Sequence, residues 1–327
     1  MHEYEAGIIR TESRGGSIYI VHLSCGEVAR EAAPGQFVQV RVGTGTDPFL
    51  RRTFSIYGVD RDRGHIRLLI EVVGPGTGQI TAARHGDCLN IIGPLGKGFD
   101  LDGSRLDSVE LDRINRMNKM KNENHVNHVD PVKKNIVLVA GGAGIAPLIF
   151  LAETIAAEDA QSDEIDRINK INSMKKQNHV NHVNLVSPNI VFMVGARTAA
   201  IQHAFTGLIP HSVKTRGRVS LLEATDDGSL GYHGFVTGLL EEYLASLNKR
   251  LQSLAYPDIV FTCGPDPMMK AIAAITARAG IRCQASLEER MACGMGACYG
   301  CAVPLKDGRM ARSCVEGPVF DAHEVDW

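Results

Sequence analysis

Four of the chain's eight cysteines lie within one short stretch, RMACGMGACYGCAVPLKDGRMARSC, in the order Cys293-x4-Cys298-x2-Cys301-x12-Cys314. A C-x4-C-x2-C run followed by a distant fourth cysteine is the spacing of a plant-type [2Fe–2S] center. Such a center needs a tight loop around two irons, with backbone N–H groups turned toward sulfur. Gly294, Gly296 and Gly300 permit that wrapping, because glycine accepts backbone angles that a β-carbon forbids. Zinc is the alternative, but structural zinc favours paired short-spaced cysteines around a tetrahedron, and this stretch supplies one such pair. The remaining cysteines, Cys25, Cys88, Cys263 and Cys283, are scattered and read as small core residues.

A second set of residues suits a flavin. Arg52-Thr53-Phe54-Ser55 opens an apparent strand, where the arginine can pair with a pyrophosphate, the aromatic can pack on a ring and the serine can approach the flavin N5. Gly74-Pro75-Gly76-Thr77-Gly78 follows the strand LLIEVV and opens a short helix whose free N–H groups would receive phosphate. A third piece, GPLGKGFDL at 93–101, has the form of a closing glycine turn. Each piece alone also fits an ordinary hairpin turn; their order gives them weight.

A third set suits a nicotinamide coenzyme. Gly141-Gly142-Ala143-Gly144-Ile145-Ala146-Pro147 lies between an apolar strand and a helix, so a dinucleotide can approach the backbone and the helix N-terminus. It is not the GxGxxG fingerprint. Cys263-Gly264-Pro265 ends a later strand, where it would let the nicotinamide slide toward a flavin or, for Cys263, simply bury a thiol. Arg197, after an intervening strand, can reach an adenosine phosphate or face solvent.

The elements that must position these groups follow from periodicity. Short β-rich runs (SIYIVHL, GQFVQVRV, TFSIYGV, HIRLLIEVV, DCLNIIGPLG) alternate with Gly and Pro up to about residue 100 and predict an antiparallel barrel. From about 135, strand–turn–helix units built on NIVLVA, NIVFMVG and DIVFTCG predict a parallel sheet. The last 45 residues lose periodicity, and a metal center would organise them. The expected fold is thus multidomain β + α/β: an antiparallel flavin barrel (1–102), a parallel-sheet nicotinamide-binding domain (103–282) and a small C-terminal [2Fe–2S] domain (283–327).

A net charge of -2 with 44% hydrophobic and 22% charged residues is that of a globular protein and gives no reason to expect nucleic acid. No apolar run approaches a bilayer span, and the N-terminus lacks a signal-peptide layout, so a cytoplasmic location without membrane contact is expected. There, thiols stay reduced and cysteines serve as ligands or core residues. One repeat interrupts the pattern: ELDRINRMNKMKNENHVNHV at 110–129 is echoed by EIDRINKINSMKKQNHVNHV at 164–183. Two HxxH pairs (His125, His128; His179, His182) raise the idea of a metal site, but no other ligand keeps a metal-like spacing. Surface insertions at about 110–131 and 164–186 are the simpler reading, because long loops cost little closure entropy.

Taken in order, RTFS, GPGTG, GGAGIAP, CGP and the cysteine loop resemble the ferredoxin–NADP reductase superfamily. Within it, SLEERMACGMGACYGCAV and SCVEGPVFDAHEVDW are similar to the electron-transfer subunits of bacterial NAD-dependent dihydroorotate dehydrogenases. The resemblance spans the chain except for the two HVNHV insertions, which depart from the family pattern. It implies FAD lined by Arg52, Thr53, Phe54, Ser55, Leu69, Ile70, Glu71, Gly76 and Thr77, and a [2Fe–2S] cluster on Cys293, Cys298, Cys301 and Cys314. The coenzyme is expected at the two turns read above, Gly141, Gly142, Gly144, Ala146, Pro147, Cys263, Gly264 and Pro265, and the resemblance makes it NAD, a choice the residues alone leave open. An FMN-containing catalytic subunit would oxidise dihydroorotate in pyrimidine (UMP) synthesis and pass electrons through the cluster and FAD to NAD+, in a heterotetramer of two plus two subunits. The flavin subunit of a sulfite reductase, a hydrogenase or a ferredoxin–NADP reductase is the alternative within the superfamily. No acid–base constellation for a carbon substrate is evident in this chain, and none is required when flavin and cluster carry the chemistry.

Overall fold

The computed structural model describes residues 2–43, 45, 48–101, 135–157, 189–215, 219–249 and 256–327. Both HVNHV segments, with their HxxH pairs, lie outside the described residues.

Six antiparallel strands close a barrel in the order β1-β2-β5-β4-β3-β6. They are β1 (Glu3–Gly15), β2 (Ile18–Ser24), β3 (Phe37–Val40), β4 (Arg52–Asp60), β5 (His65–Glu71) and β6 (Cys88–Leu95). Helix α1 (Gly26–Glu31) links β2 to β3, and α2 (Pro75–Ala82) links β5 to β6. The strand alternation sorts side chains to the two sides of the wall: Val38, Val40, Ile56, Leu68, Ile70 and Ile91 fill the barrel. Strand β1 is absent from the expected runs because it is acidic and fully buries only Ala6 and Ile8. Register shifts between Ile8 and Arg10 and between Ser13 and Gly15 break its alternation further.

The second sheet has seven strands, ordered β10-β9-β8-β7-β11-β12-β15. Parallel pairing joins β7 (Asn135–Gly141), β8 (Asn189–Ala196), β9 (Val219–Thr225), β10 (Tyr232–His233), β11 (Ile259–Cys263) and β12 (Arg282–Ser286). The central strands are almost continuously apolar because helices cover both faces. The flanking β9 and β12, VSLLEAT and RCQAS, lack that run and escape detection by hydrophobicity.

After β12 the chain crosses the cysteine loop and a small hairpin, β13 (Ala302–Pro304) with β14 (Met310–Arg312). It then returns as β15 (Val319–Asp321), antiparallel to β12 at the sheet edge.

Barrel and sheet share one core: Ile18, Ile20, Tyr57 and Leu69 pack with Leu138, Ile149 and Phe261. Arg67 of β5 pairs with Glu153 on the helix 145–157 and lies 5.1 Å over the Tyr57 ring. Burial, partly offset by Arg67, raises the Tyr57 hydroxyl to about 12.

Candidate functional site

The cysteine loop is shaped by backbone angles that glycine tolerates: Gly294 and Gly296 have φ of +67 and +80, and Tyr299 adopts φ of 57 between them and the hairpin. That curvature turns amides onto sulfur. Gly296 N–H donates to Cys314 Sγ at 3.2 Å, Gly300 N–H to Cys298 Sγ at 3.4 Å and Met295 N–H to Cys293 Sγ at 3.5 Å. Amide donation of this kind pulls the Cys293 thiol down to about 6. Burial, then contact with Cys301, pushes Cys314 up to about 12.

Electrostatically the four thiols are neighbours: Cys298 acts on Cys293, and Cys301 and Cys293 act on Cys314. Among the described residues no three His, Cys, Asp or Glu side chains gather about one point. The C-x4-C-x2-C spacing with its distant fourth cysteine, and the amides turned onto sulfur, match a [2Fe–2S] loop. Two polar side chains beside the loop, Gln39 and Ser313, are buried without hydrogen-bond partners, as expected of groups that face a sulfur-rich center. The residues present therefore fit a [2Fe–2S] cluster. Cys301 and Cys314 are buried with Phe37 and Leu95 of the barrel, whereas Cys298 is exposed and Cys293 partly so.

The segment is seated on the barrel by the 93–99 turn, which sequence alone offered only as a barrel closure. A β-carbon on Gly96 would lie 2.6 Å from Gly317 O and from Pro318 Cδ, and Lys97 N–H donates to Gly317 O at 2.5 Å.

Where the sequence places a flavin, the Arg52 guanidinium lies over the start of α2: a β-carbon on Gly76 would fall 3.0 Å from Arg52 Nε. Cation and helix N-terminus thus converge as an anionic pyrophosphate requires. The Thr77 hydroxyl is spent on the turn, accepting Val73 N–H at 3.0 Å and donating to Gly74 O at 3.0 Å. Thr53, Phe54 and Ser55 follow Arg52 on β4, opposite Gln39, Val38 and Phe37. On β5, Ile70 points into the barrel and Leu69 into the shared core, so only their backbones are available to a ligand, while Glu71 is exposed.

Beside Glu71 opens a cavity of ≈ 1170 Å³, lined also by Gly141, Gly142, Arg197, Asp226, Phe235 and Pro265. Its size exceeds the ~300–1,000 Å³ of a common small-ligand pocket and suits a dinucleotide. The glycines of the two turns have a packing duty as well. A β-carbon on Gly144 would lie 2.5 Å from the Cys263 carbonyl, and one on Gly264 would lie 3.0 Å from the Gly141 backbone, so the turns after β7 and β11 touch main chain to main chain. Ala146 and Pro147 are buried in the helix start behind them. Cys263 is fully buried; that burial, then the charge of Glu288, pushes its thiol well above the ordinary range.

Several site residues carried no motif. Glu288, an exposed residue, accepts a long Cys263 S–H contact of 3.9 Å. Desolvation of the carboxyl, then the Asp266 and Glu71 charges, raise it. Of the adjacent Asp226 and Asp227, the second caps its turn through Ser229 N–H at 3.0 Å, while the first faces the cavity. The pair after a strand was the available signal, since an acidic group there can bind a ribose hydroxyl. Gln39 had none: a single glutamine inside FVQV is invisible to pattern.

Comparison with known proteins agrees with this geometry. Residues 288–326 match the family model for the iron-sulfur cluster binding domain of dihydroorotate dehydrogenase B. A solved NADH-dependent reduced ferredoxin-NADP oxidoreductase, described for flavin-based electron bifurcation, is 25% identical with a TM-score of 0.65, over 98% of this chain and 90% of that one. A ferredoxin NADP+ reductase from Neisseria gonorrhoeae with bound FAD and NADP shares the fold, with a TM-score of 0.53 at 15% identity over 85% of this chain and 92% of that one. The dihydroorotate dehydrogenase B (NAD(+)) electron transfer subunit of Desulforamulus reducens is 32% identical over 99% of this chain and 98% of its own length. The chain belongs to the family of dihydroorotate dehydrogenase B (NAD(+)) electron transfer subunits.

Proposed function

We propose that this chain receives electrons from the FMN of a dihydroorotate-oxidising partner and delivers them to NAD+, in the orotate-forming step of pyrimidine synthesis. The observation that carries the reading is the polarity of the cysteine loop: one thiol pair is buried against the flavin barrel and the other opens to solvent. When bound, the cluster supplies one-electron transfer and FAD converts paired electrons to hydride.

The chain's residues do the positioning. Cys293, Cys298, Cys301 and Cys314 hold the cluster, and the Gly296 and Gly300 amides offset its negative charge. Arg52 with the amides of Gly76 and Thr77 holds the FAD pyrophosphate, and Thr53, Phe54, Ser55 and the backbones of Leu69 and Ile70 flank the flavin. Glu71 stands where the flavin cradle meets the nicotinamide cavity. There Gly141, Gly142 and Pro265 line the coenzyme, and Gly144, Ala146, Pro147, Cys263 and Gly264 set the two turns. The functional division proposed is 1–102, 103–282 and 283–327; β12, whose residues 283–286 fall in the last unit, ties that unit to the sheet of the second by pairing with β11, and β15 adds to its edge.

Met295 and Tyr299 on the cysteine loop, with Met310 and Val315 nearby, are exposed apolar side chains. An exposed apolar group around an electron port suits a permanent partner surface, and a complex of two catalytic and two electron-transfer subunits in the cytoplasm is the assembly proposed. No helix among the described residues is long and apolar enough to cross a membrane.

Dihydroorotate:NAD+ turnover by the purified chain with and without the catalytic subunit is the test. The expected result is turnover only in the mixture; full turnover by this chain alone would overturn the subunit role.

A further inference from the structure

Strand β3 presents its residues alternately to the barrel interior and to the cysteine loop. Val38 and Val40 lie in the barrel core. Phe37, on the other side, packs with Cys301 and Cys314. Gln39 shares the side of Phe37 and is 0% exposed. Neither its amide nitrogen nor its amide oxygen has a hydrogen-bond partner. The amide lies on the loop itself: a β-carbon on Gly294, the residue after Cys293, would fall 2.5 Å from Oε1 and 2.9 Å from Nε2. Directly across the ladder stands Thr53, the second residue of the flavin strand's RTFS.

Burying an amide with both ends unpaired costs free energy that a leucine or methionine of similar volume would not. A partner supplied when the cofactors are bound would remove that cost. The surroundings narrow the choice: barrel valines lie to either side along the strand, and the loop residue beside the amide, Gly294, directly follows Cys293, a ligand in the proposed cluster.

We propose that the Gln39 amide is the barrel's own hydrogen-bond donor to the [2Fe–2S] center, a positioning residue that would raise the cluster's reduction potential. An N–H directed at sulfur stabilises the more negative, reduced cluster and so raises its potential. Gly294 fits the same account, since any side chain there would displace the amide from the loop.

The proposal rests on the cluster assignment, and the experiment separates the two. Gln39→Leu, and Gln39→Met as an unbranched second variant, are purified anaerobically as holoproteins, with iron, sulfide and FAD quantified. The cluster midpoint is read by EPR-monitored redox titration and the flavin midpoint by absorbance. Expected are cofactor contents equal to the parent, altered g-values and an unchanged flavin midpoint. At a fixed potential the reduced-to-oxidised ratio of the cluster should fall about tenfold, 59 mV for a one-electron couple.

An unchanged cluster midpoint with raised thermal stability would show an amide without a sulfur partner and overturn the proposal. A shift in the flavin midpoint alone, or loss of iron from both folded variants, would overturn it as well. A parent protein with no [2Fe–2S] signal would instead overturn the cluster reading beneath it.

Discussion

The cysteine loop and the cavity beside Glu71, proposed as the cluster and coenzyme sites of one relay, are built in opposite ways. All four thiolates of the loop come from one continuous stretch, 293–314, and local amides satisfy three of them. The cavity draws on β1, β5 and the turns after β7, β8, β9 and β11, which meet only once barrel and sheet share a core. A site made of one segment depends on ligand identity; a site made of many depends on how closely its backbones approach. Substitutions should therefore act on the loop through chemistry and on the cavity through packing.

The largest effect is expected at the solvent-facing thiol. Cys298→Ser should abolish dihydroorotate-linked reduction of NAD+ while NADH still reduces the bound FAD, measured by stopped-flow absorbance; loss of both activities from a folded, FAD-loaded variant would erase the distinction between the two regions. Next comes the flavin cradle. Removing the Arg52 guanidinium from the start of α2 deletes charge-assisted hydrogen bonds of about 1.5–3 kcal/mol, so Arg52→Ala should weaken FAD retention about 10- to 100-fold. Equilibrium dialysis against FAD reads this directly, and unchanged retention would remove Arg52 from the cradle.

The cavity should respond to volume. Gly144→Ala places a methyl 2.5 Å from the Cys263 carbonyl. Overpacking of this kind costs about 1–3 kcal/mol, seen as a lower melting temperature and a higher KM for NADH with [2Fe–2S] content unchanged. A silent substitution would mean that the two turns separate freely. Smaller still is the effect of Asp226, whose carboxylate faces the cavity and would repel a 2′-phosphate. Asp226→Ser should move the NADH-to-NADPH preference about tenfold toward NADPH, or 1.4 kcal/mol, and an unmoved ratio would assign coenzyme choice to other residues.

The same contrast explains what the sequence made legible. Cysteine spacing, the RTFS and GPGTG runs and the apolar strands NIVLVA and NIVFMV are local patterns, and they led to the cluster, the barrel and the parallel sheet. Strand β1 stayed hidden because its pairing with β2 and β6, not its own hydrophobicity, makes it a strand. The turn at 93–99 could be seen as a glycine turn but not as the seat of Gly317 and Pro318, a contact more than 200 residues away in the chain. Gln39 and Glu288 matter through neighbours that arrive from distant segments, Gly294 in one case and Cys263 in the other. Periodicity carries no such information.

Glu288 gives the finest test, because its effect is a pH dependence rather than a loss. Its carboxyl is raised first by desolvation and then by Asp266 and Glu71. A raised value in the folded state means that folding favours the protonated form. The stabilisation is then complete below the unfolded carboxyl's ordinary value of about 4.3 and is lost as pH climbs through the raised one. Glu288→Gln, neutral at every pH, should accordingly gain stability relative to the parent as pH rises from 5 to 8. The urea midpoint for flavin release, followed by FAD fluorescence, measures that gain. An offset of the same size at every pH would show that Glu288 titrates normally and that neither its surroundings nor the Asp266 and Glu71 charges hold its proton.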